Sequence, residues 1–296
     1  MKHIVLGLFL FICAATVNEA AAQAGYPRTF TDGKGHKLTL KAKPARIASV
    51  VLGVDENLMD LVDPSRIVTM TELSKDANIS NVAARVPAGK VMIRDQWQRV
   101  IDARPDLVLV TTFTQELAGP LIQRGLPVYQ FSEFNSIDAL LRNFETLGQL
   151  VGEEKKAQEI INTRRAELRK ASEKKWPQRT RAVYFSEGLL FTGGTVPSQV
   201  IGFAGLVDAA AEFGLAGIVK ATPALLGNLR PDVILVGEDS KEAEAETLAM
   251  FRKPEFQTIN AVRSGRIHAL PGKHITTVSH NIVEAVKDIQ ALLDRR

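Results

Sequence analysis

Two α/β lobes on parallel sheets, joined by a long backbone helix with a ligand cleft between the lobes: the sequence predicts this fold class from three observations. The first is an internal echo. Arg104-Pro105-Asp106-Leu107-Val108-Leu109-Val110 returns as Arg230-Pro231-Asp232-Val233-Ile234-Leu235-Val236. Each copy joins a Pro-Asp turn to a run of branched apolar residues, the pattern of a strand buried on both faces in a parallel sheet. The second is the alternation of short strand-like and helix-like segments around each copy. The third is the stretch between the copies, the most helical of the chain.

Taken in order, residues 30–40 carry a turn at Asp32-Gly33 and the alternation Lys37-Leu38-Thr39-Leu40, a leading hairpin. Strands are expected at 46–52, 66–70, 107–110 and 127–131 in the first lobe, and at 181–186, 233–236 and 266–270 in the second. Helices are expected at 57–62, 96–103 and 115–124, then at 198–203, 223–229 and 242–251. The Pro of each echo stops the helix before it. Between the lobes, Ser136 caps a helix over 137–151 and Gly152 breaks it. A helix over 153–175 follows, with Ala157, Ile160, Ile161, Leu168 and Ala171 on one face. Arg164, Arg165, Arg169 and Lys170 read as a solvated face. A helix of about twenty residues spans about 30 Å, a stiff strut. The domain reading is therefore 1–24 signal peptide, 25–135 first lobe with hairpin, 136–176 linking helices and 177–296 second lobe.

The chain has 296 residues, 45% hydrophobic and 24% charged, which is globular composition and excludes disorder. Net charge is +4, spread along the chain with no basic block beyond pairs such as Lys174-Lys175, which excludes a nucleic-acid role. Lys2 and His3 precede an apolar run over 4–15, and Ala20-Ala21-Ala22-Gln23-Ala24 offers small residues for a signal peptidase. The run is too short for a comfortable membrane span. Cleavage is expected after Ala22 or Ala24. The single cysteine, Cys13, lies in this run behind the bulky Ile12, unlike a lipoprotein signal. The mature chain then has no disulfide or thiol chemistry, and is expected to be a soluble periplasmic monomer. No G-x-S-x-G, P-loop or H-E-x-x-H occurs, and Gly193-Gly194 reads as a turn. No catalytic residue is assigned.

At this point the sequence resembles a family: the helix-linked (class III) periplasmic solute-binding proteins that feed ABC importers of iron–siderophores, haem and cobalamin. The resemblance covers nearly all of the mature chain. It rests on Phe30-Thr31-Asp32-Gly33-Lys34-Gly35, Pro44-Ala45-Arg46-Ile47-Ala48-Ser49 and the first Arg-Pro-Asp strand. Gly125-Leu126-Pro127-Val128-Tyr129, Leu147-Gly148, Val151-Gly152 and Gly202-Phe203-Ala204-Gly205-Leu206 follow in family order, then the second Arg-Pro-Asp strand. The closing run from Asn260-Ala261-Val262-Arg263-Ser264-Gly265 to Arg266-Ile267-His268-Ala269-Leu270-Pro271 is its most specific piece. The resemblance implies a glutamate on each lobe, seven residues before the motif proline, that meets permease arginines. Gln98 and Ala224 stand there instead. Asp95 is the nearest acid in the first lobe, and the second offers none between Lys220 and Arg230.

Ligands of doubly wound sheets collect beyond the carboxyl ends of the strands, and the resemblance puts the cleft between the two lobes' ends. The candidate ligand-binding residues are Leu52, Glu72, Met92, Arg94, Phe113 and Phe134 in the first lobe. In the second they are Glu187, Leu190, Phe191, Glu238 and His274. Arg94 suits a ligand carboxylate, and the glutamates suit ligand hydroxyls or amines. Core packing or solvation is the plainer role for each one singly. Tyr184 is expected in the core. His36, His268, His274 and His280 show no metal-ligand spacing, so no metal site is assigned. His274 reads as a surface loop residue, with haem ligation as the other possibility.

The reading is capture of a bulky organic ligand of iron–siderophore, haem or corrinoid type for an inner-membrane ABC importer, with no cofactor of the protein's own; the ligand can itself carry iron or cobalt. Two others stay open: a carrier of an apolar lipid or sterol-like ligand with a different transport partner, and a secreted hydrolase.

Overall fold

The computed structural model describes residues 25–94, 96–176 and 178–294. The expected signal peptide with Cys13, and Asp95, lie outside the described residues. The chain opens with an antiparallel hairpin of β1 (Arg28–Thr31) and β2 (Lys37–Leu40). Leu38 and Leu40 enter the core while Lys37 and Thr39 face out, the period-two pattern of a half-buried strand. Asp32 Oδ1 ties the hairpin loop by accepting from the Lys34 and His36 N–H groups at 2.8 Å each.

The first lobe contains β3 (Ile47–Ser49), α1 (Leu52–Leu61), β4 (Ile67–Thr71), β5 (Val91–Ile93), α2 (Trp97–Asp102), β6 (Leu107–Thr111), α3 (Gln115–Gln123) and β7 (Val128–Phe131). Its sheet runs β5-β4-β3-β6-β7, every pair parallel. The chain order reverses beside β3, which creates a crevice at the carboxyl ends of the strands.

Two helices follow, α4 (Ile137–Val151) and α5 (Glu154–Ser172). The Ser136 hydroxyl caps α4 by accepting from the Ala139 N–H at 3.1 Å, and Gly152 closes it in the left-handed region. Both helices feed both cores. Phe144, Leu147, Leu150 and Val151 of α4, with Ala157 and Ile161 of α5, pack in the first lobe. Ile137, Leu140 and Leu141 of α4, with Leu168 and Ala171 of α5, pack in the second. The two helices therefore bind the lobes together as an antiparallel pair. Arg164 departs from the solvated face: it reaches Glu284 at 2.7 Å, Glu167 at 3.0 Å and Asn281 at 3.1 Å.

The second lobe contains β8 (Arg181–Ser186), β9 (Leu189–Phe191), α6 (Val196–Phe203), β10 (Val207–Asp208), α7 (Ala209–Glu212), β11 (Ile218–Lys220) and α8 (Pro223–Leu229). β12 (Val233–Val236), α9 (Lys241–Met250), α10 (Asn260–Arg263), β13 (Ile267–Ala269), α11 (Gly272–Ile275) and α12 (Val283–Asp294) complete it. The sheet runs β11-β9-β8-β12-β13, with β10 beside the start of β8. β8, β12 and β13 are parallel, but β9 and β11 are antiparallel. The expected parallel strands of the second lobe are thus present, and β9 and β11, which the sequence reading did not place, extend their sheet at one edge. The cause of the reversal is a two-residue turn between β8 and β9, where Glu187 (φ 50°) and Gly188 (φ 78°) both adopt the left-handed conformation of a tight hairpin.

The internal echo has a structural cause. Asp106 accepts from the Ala45 and Arg46 N–H groups at 2.8 and 2.9 Å, and Asp232 accepts from the Arg181 N–H at 2.8 Å. Each aspartate pins its strand to the start of the neighbouring central strand. The arginine there returns the tie: Arg46 donates to the Ala103 and Arg104 carbonyls at 2.6 and 3.0 Å, and Arg181 to the Leu229 carbonyl at 3.0 Å. These carbonyls end α2 and α8, where orphan acceptors need partners. The strands that follow are fully buried on both faces: Leu107 and Leu109 face one core cluster and Val108 and Val110 another. Val233 and Leu235 are likewise separated from Ile234 and Val236. Such a side chain contributes about 1.5–3 kcal/mol by leaving water.

Candidate functional site

A cavity of about 590 Å³ lies between the lobes. On the first lobe its wall comes from residues just past β6 and β7, Thr112, Phe113, Ser132, Phe134 and Asn135. The Phe113 and Phe134 rings lie 4.9 Å apart, tilted at 43°. Phe113 is 62% exposed, and on the opposite lip Ile218 is 56% exposed, an unusual outlay of apolar surface. On the second lobe the β8–β9 hairpin supplies Tyr184, Ser186, Glu187 and Phe191, the end of β12 leads to Asp239, and 275–278 make the floor.

Tyr184 is a buried wall residue, not core alone. Its hydroxyl donates to the Gly237 carbonyl at 3.3 Å and its ring meets Phe191 edge-on at 5.5 Å. Burial raises its phenol above the usual range, so it stays protonated. Gly237 makes room: a Cβ there would sit 2.3 Å from the Tyr184 hydroxyl. Asp239 is also raised, first by desolvation and then by Glu238 beside it.

The structure brings Phe113, Phe134, Glu187 and Phe191 to the cavity wall. It places the other candidates elsewhere. Leu52 opens α1, which starts five residues before the expected 57 and so takes Leu52 out of the strand end. Glu72 and Arg94 pair with each other at 3.2 Å beyond β4 and β5. Neither residue lines the cavity. Met92 in β5 is buried in the first-lobe core. Leu190 is fully buried because strand alternation turns it to the opposite face from Phe191. Glu238 is buried behind the wall, where it accepts from the Glu187 N–H at 3.2 Å, the Ser186 hydroxyl at 3.3 Å and the Thr247 hydroxyl at 2.6 Å. It braces the hairpin tip. His274 Nδ1 pairs with Asp288 of α12 at 2.5 Å and does not line the cavity. Among the described residues, no group of three or more His, Cys, Asp or Glu could hold a metal ion.

Sequence reasoning missed Tyr184, Asp239, Thr195 and the floor residues Thr276, Thr277 and Val278. Thr195 carries a legible signal, since it caps α6 by accepting from the Ser198 N–H at 3.4 Å, ahead of a Pro at the second helical position.

Beneath the floor, the lobes are joined by a buried polar seam. Glu56 of α1 accepts from the Thr277 and Ser279 hydroxyls at 2.8 and 2.5 Å, and from the Asn81 N–H and side-chain amide at 2.8 and 3.0 Å. Asn81 reaches on to the Lys273 carbonyl at 2.6 Å. His280 packs its ring 4.4 Å from Phe144, with Asn57 Oδ1 2.8 Å from Nδ1 and Asp60 Oδ2 3.2 Å from Nε2. Desolvation raises Asp60, but hydrogen bonds from His280 and Arg85 outweigh it and leave the carboxyl below its usual range.

With this geometry in place, the Periplasmic binding protein family matches residues 47–274, from β3 through α11 and hence both lobes and the cavity. The chain belongs to this family. Its family and relatives are binding proteins. This binding protein is 22% identical over 276 residues to the uncharacterized ABC transporter substrate-binding lipoprotein YvrC of Bacillus subtilis, covering 89% of this chain and 84% of that one. It is 24% identical over 278 residues to a cobalamin-binding protein of Halobacterium salinarum, covering 90% and 74%. Its fold is similar to that of a possible iron-binding (periplasmic solute-binding) protein of Staphylococcus epidermidis, with a TM-score of 0.73, 20% identity and coverage of 85% and 99%.

Proposed function

We propose that this protein captures a bulky organic ligand, an iron chelate, haem or corrinoid type, in the periplasm and hands it to an inner-membrane ABC importer. The observation that carries the reading is the 590 Å³ cavity between the two lobes, walled by Phe113, Phe134, Tyr184 and Phe191 with a few hydroxyls and carboxylates. A mainly apolar site with sparse polar groups suits a large organic ligand. The cobalamin-binding and ABC substrate-binding relatives support it. The function needs no bond chemistry: encounter, a small closure and release. Export with signal cleavage belongs to the same reading. Native mass spectrometry of protein purified from its own host tests it. A co-purified mass carrying iron or cobalt supports the proposal. A phospholipid or sterol mass as the sole adduct favours the apolar-carrier reading and overturns this one.

A further inference from the structure

We propose that the cleft selects ligands that present a positive charge to the second lobe, with Glu187 and Asp239 as the specificity-determining residues. The inference rests on the binding-protein reading above and adds the sign of the ligand's charge.

Three observations carry it. Among the described residues that line the cavity there is no Lys, Arg or His, while Glu187 and Asp239 both lie on the second-lobe wall. Of the basic side chains that flank the wall, Arg142 meets Glu133 at 3.2 Å and Lys241 meets Glu244 at 2.8 Å, while the exposed Lys220 lies two residues beyond Ile218, outside the lining. The rest of the wall is uncharged and includes four aromatic rings, Phe113, Phe134, Tyr184 and Phe191, a residue type that accepts a cation over its face.

Each group acts in the same direction. An anionic ligand would meet two carboxylates and four aromatic side chains, with no cation among the lining residues to accept its charge. A ligand ammonium or a cationic metal centre would meet acceptors held in place, since buried Glu238 fixes the Glu187 backbone at 3.2 Å. A cavity lined by one sign of charge concentrates the opposite sign. The raised Asp239 carboxyl, with desolvation first and Glu238 second as its causes, accords with a site that lacks a counter-ion of its own.

A matched ligand series tests this: haemin with its two carboxylates, haemin dimethyl ester with none, and haemin bis(2-aminoethyl)amide with two ammonium groups. Dissociation constants are measured by absorbance titration for the wild type and for Glu187→Gln/Asp239→Asn. The expected order is diammonium tightest, then ester, then dicarboxylate, with at least about tenfold between the extremes. The double variant should collapse that spread. If all three bind equally, or the spread survives the double substitution, the charge inference is overturned while macrocycle binding stands. If none binds, both the inference and the macrocycle reading fall.

Discussion

Glu56 and Thr277, 221 residues apart, share a 2.8 Å hydrogen bond in which the threonine hydroxyl donates to a carboxylate with no solvent exposure. Glu56 belongs to the first lobe and Thr277 to the cavity floor of the second. The seam that orients the lobes is thus continuous with the surface that faces the ligand. Replacing Glu56 by Ala would remove the acceptor of the buried Thr277 and Ser279 hydroxyls and of the half-buried Asn81 N–H. The expected loss is about 3 kcal/mol in urea unfolding, with a smaller loss for Glu56→Gln. An Ala variant as stable as the wild type would show that the seam contributes nothing.

The shared helices and this seam predict a stiff molecule. Solution scattering with and without ligand should give radii of gyration within about 1 Å of each other. A change of several ångströms would indicate a hinge and contradict the strut.

Asp55, next to Glu56, gives a pH prediction. Burial pushes its carboxyl up from 3.8 to about 7, against hydrogen bonds from Ser49, Ser74 and the Thr71 N–H. A raised carboxyl favours the protonated fold, so its contribution is fully present below about pH 4 and is lost as pH rises through about 7. Between pH 5 and pH 8 the Asp55→Asn variant should therefore lose about 2 kcal/mol less stability than the wild type. Equal slopes in urea titrations at the two pH values would count against a buried, protonated Asp55.

Gln98 and Ala224 are both exposed, and each is the second residue of the helix that leads into an Arg-Pro-Asp strand. The two positions are therefore presented alike on the two lobes. Carboxylates at such rim sites raise encounter rate and orientation when they meet arginines. Gln98→Glu with Ala224→Glu should strengthen binding to a permease of the family's usual type by about tenfold in nanodiscs. No gain, with tight docking already in the wild type, would show that other residues dock.

The echo around Pro105 and Pro231, the Ser136 cap and the apolar face of α5 were legible because each is a local signal with a local cause. The start of α1 was not, since Val51 caps it without a side-chain hydrogen bond and Val50-Val51-Leu52 reads as a strand end. The β8–β9 hairpin was hidden because Glu187, not Gly or Asn, takes the first left-handed position. The cleft residues past β6 and β7 were legible from strand ends, whereas Glu72 and Arg94 past β4 and β5 pair with each other outside the cavity lining. The Glu56–Thr277 seam is a contact between distant segments, and a single sequence carries no signal for it.

The cavity itself is tested most directly at its two exposed lips. Phe113 and Ile218 lie on opposite lobes and are exposed, so Phe113→Ala/Ile218→Ala should leave unfolding stability within about 0.5 kcal/mol. Native mass spectrometry of this variant, purified from the same host as the wild type, should show the co-purified ligand reduced at least about tenfold, the effect of losing two apolar anchors. Undiminished ligand on a fully folded variant would place the binding site elsewhere and contradict the account.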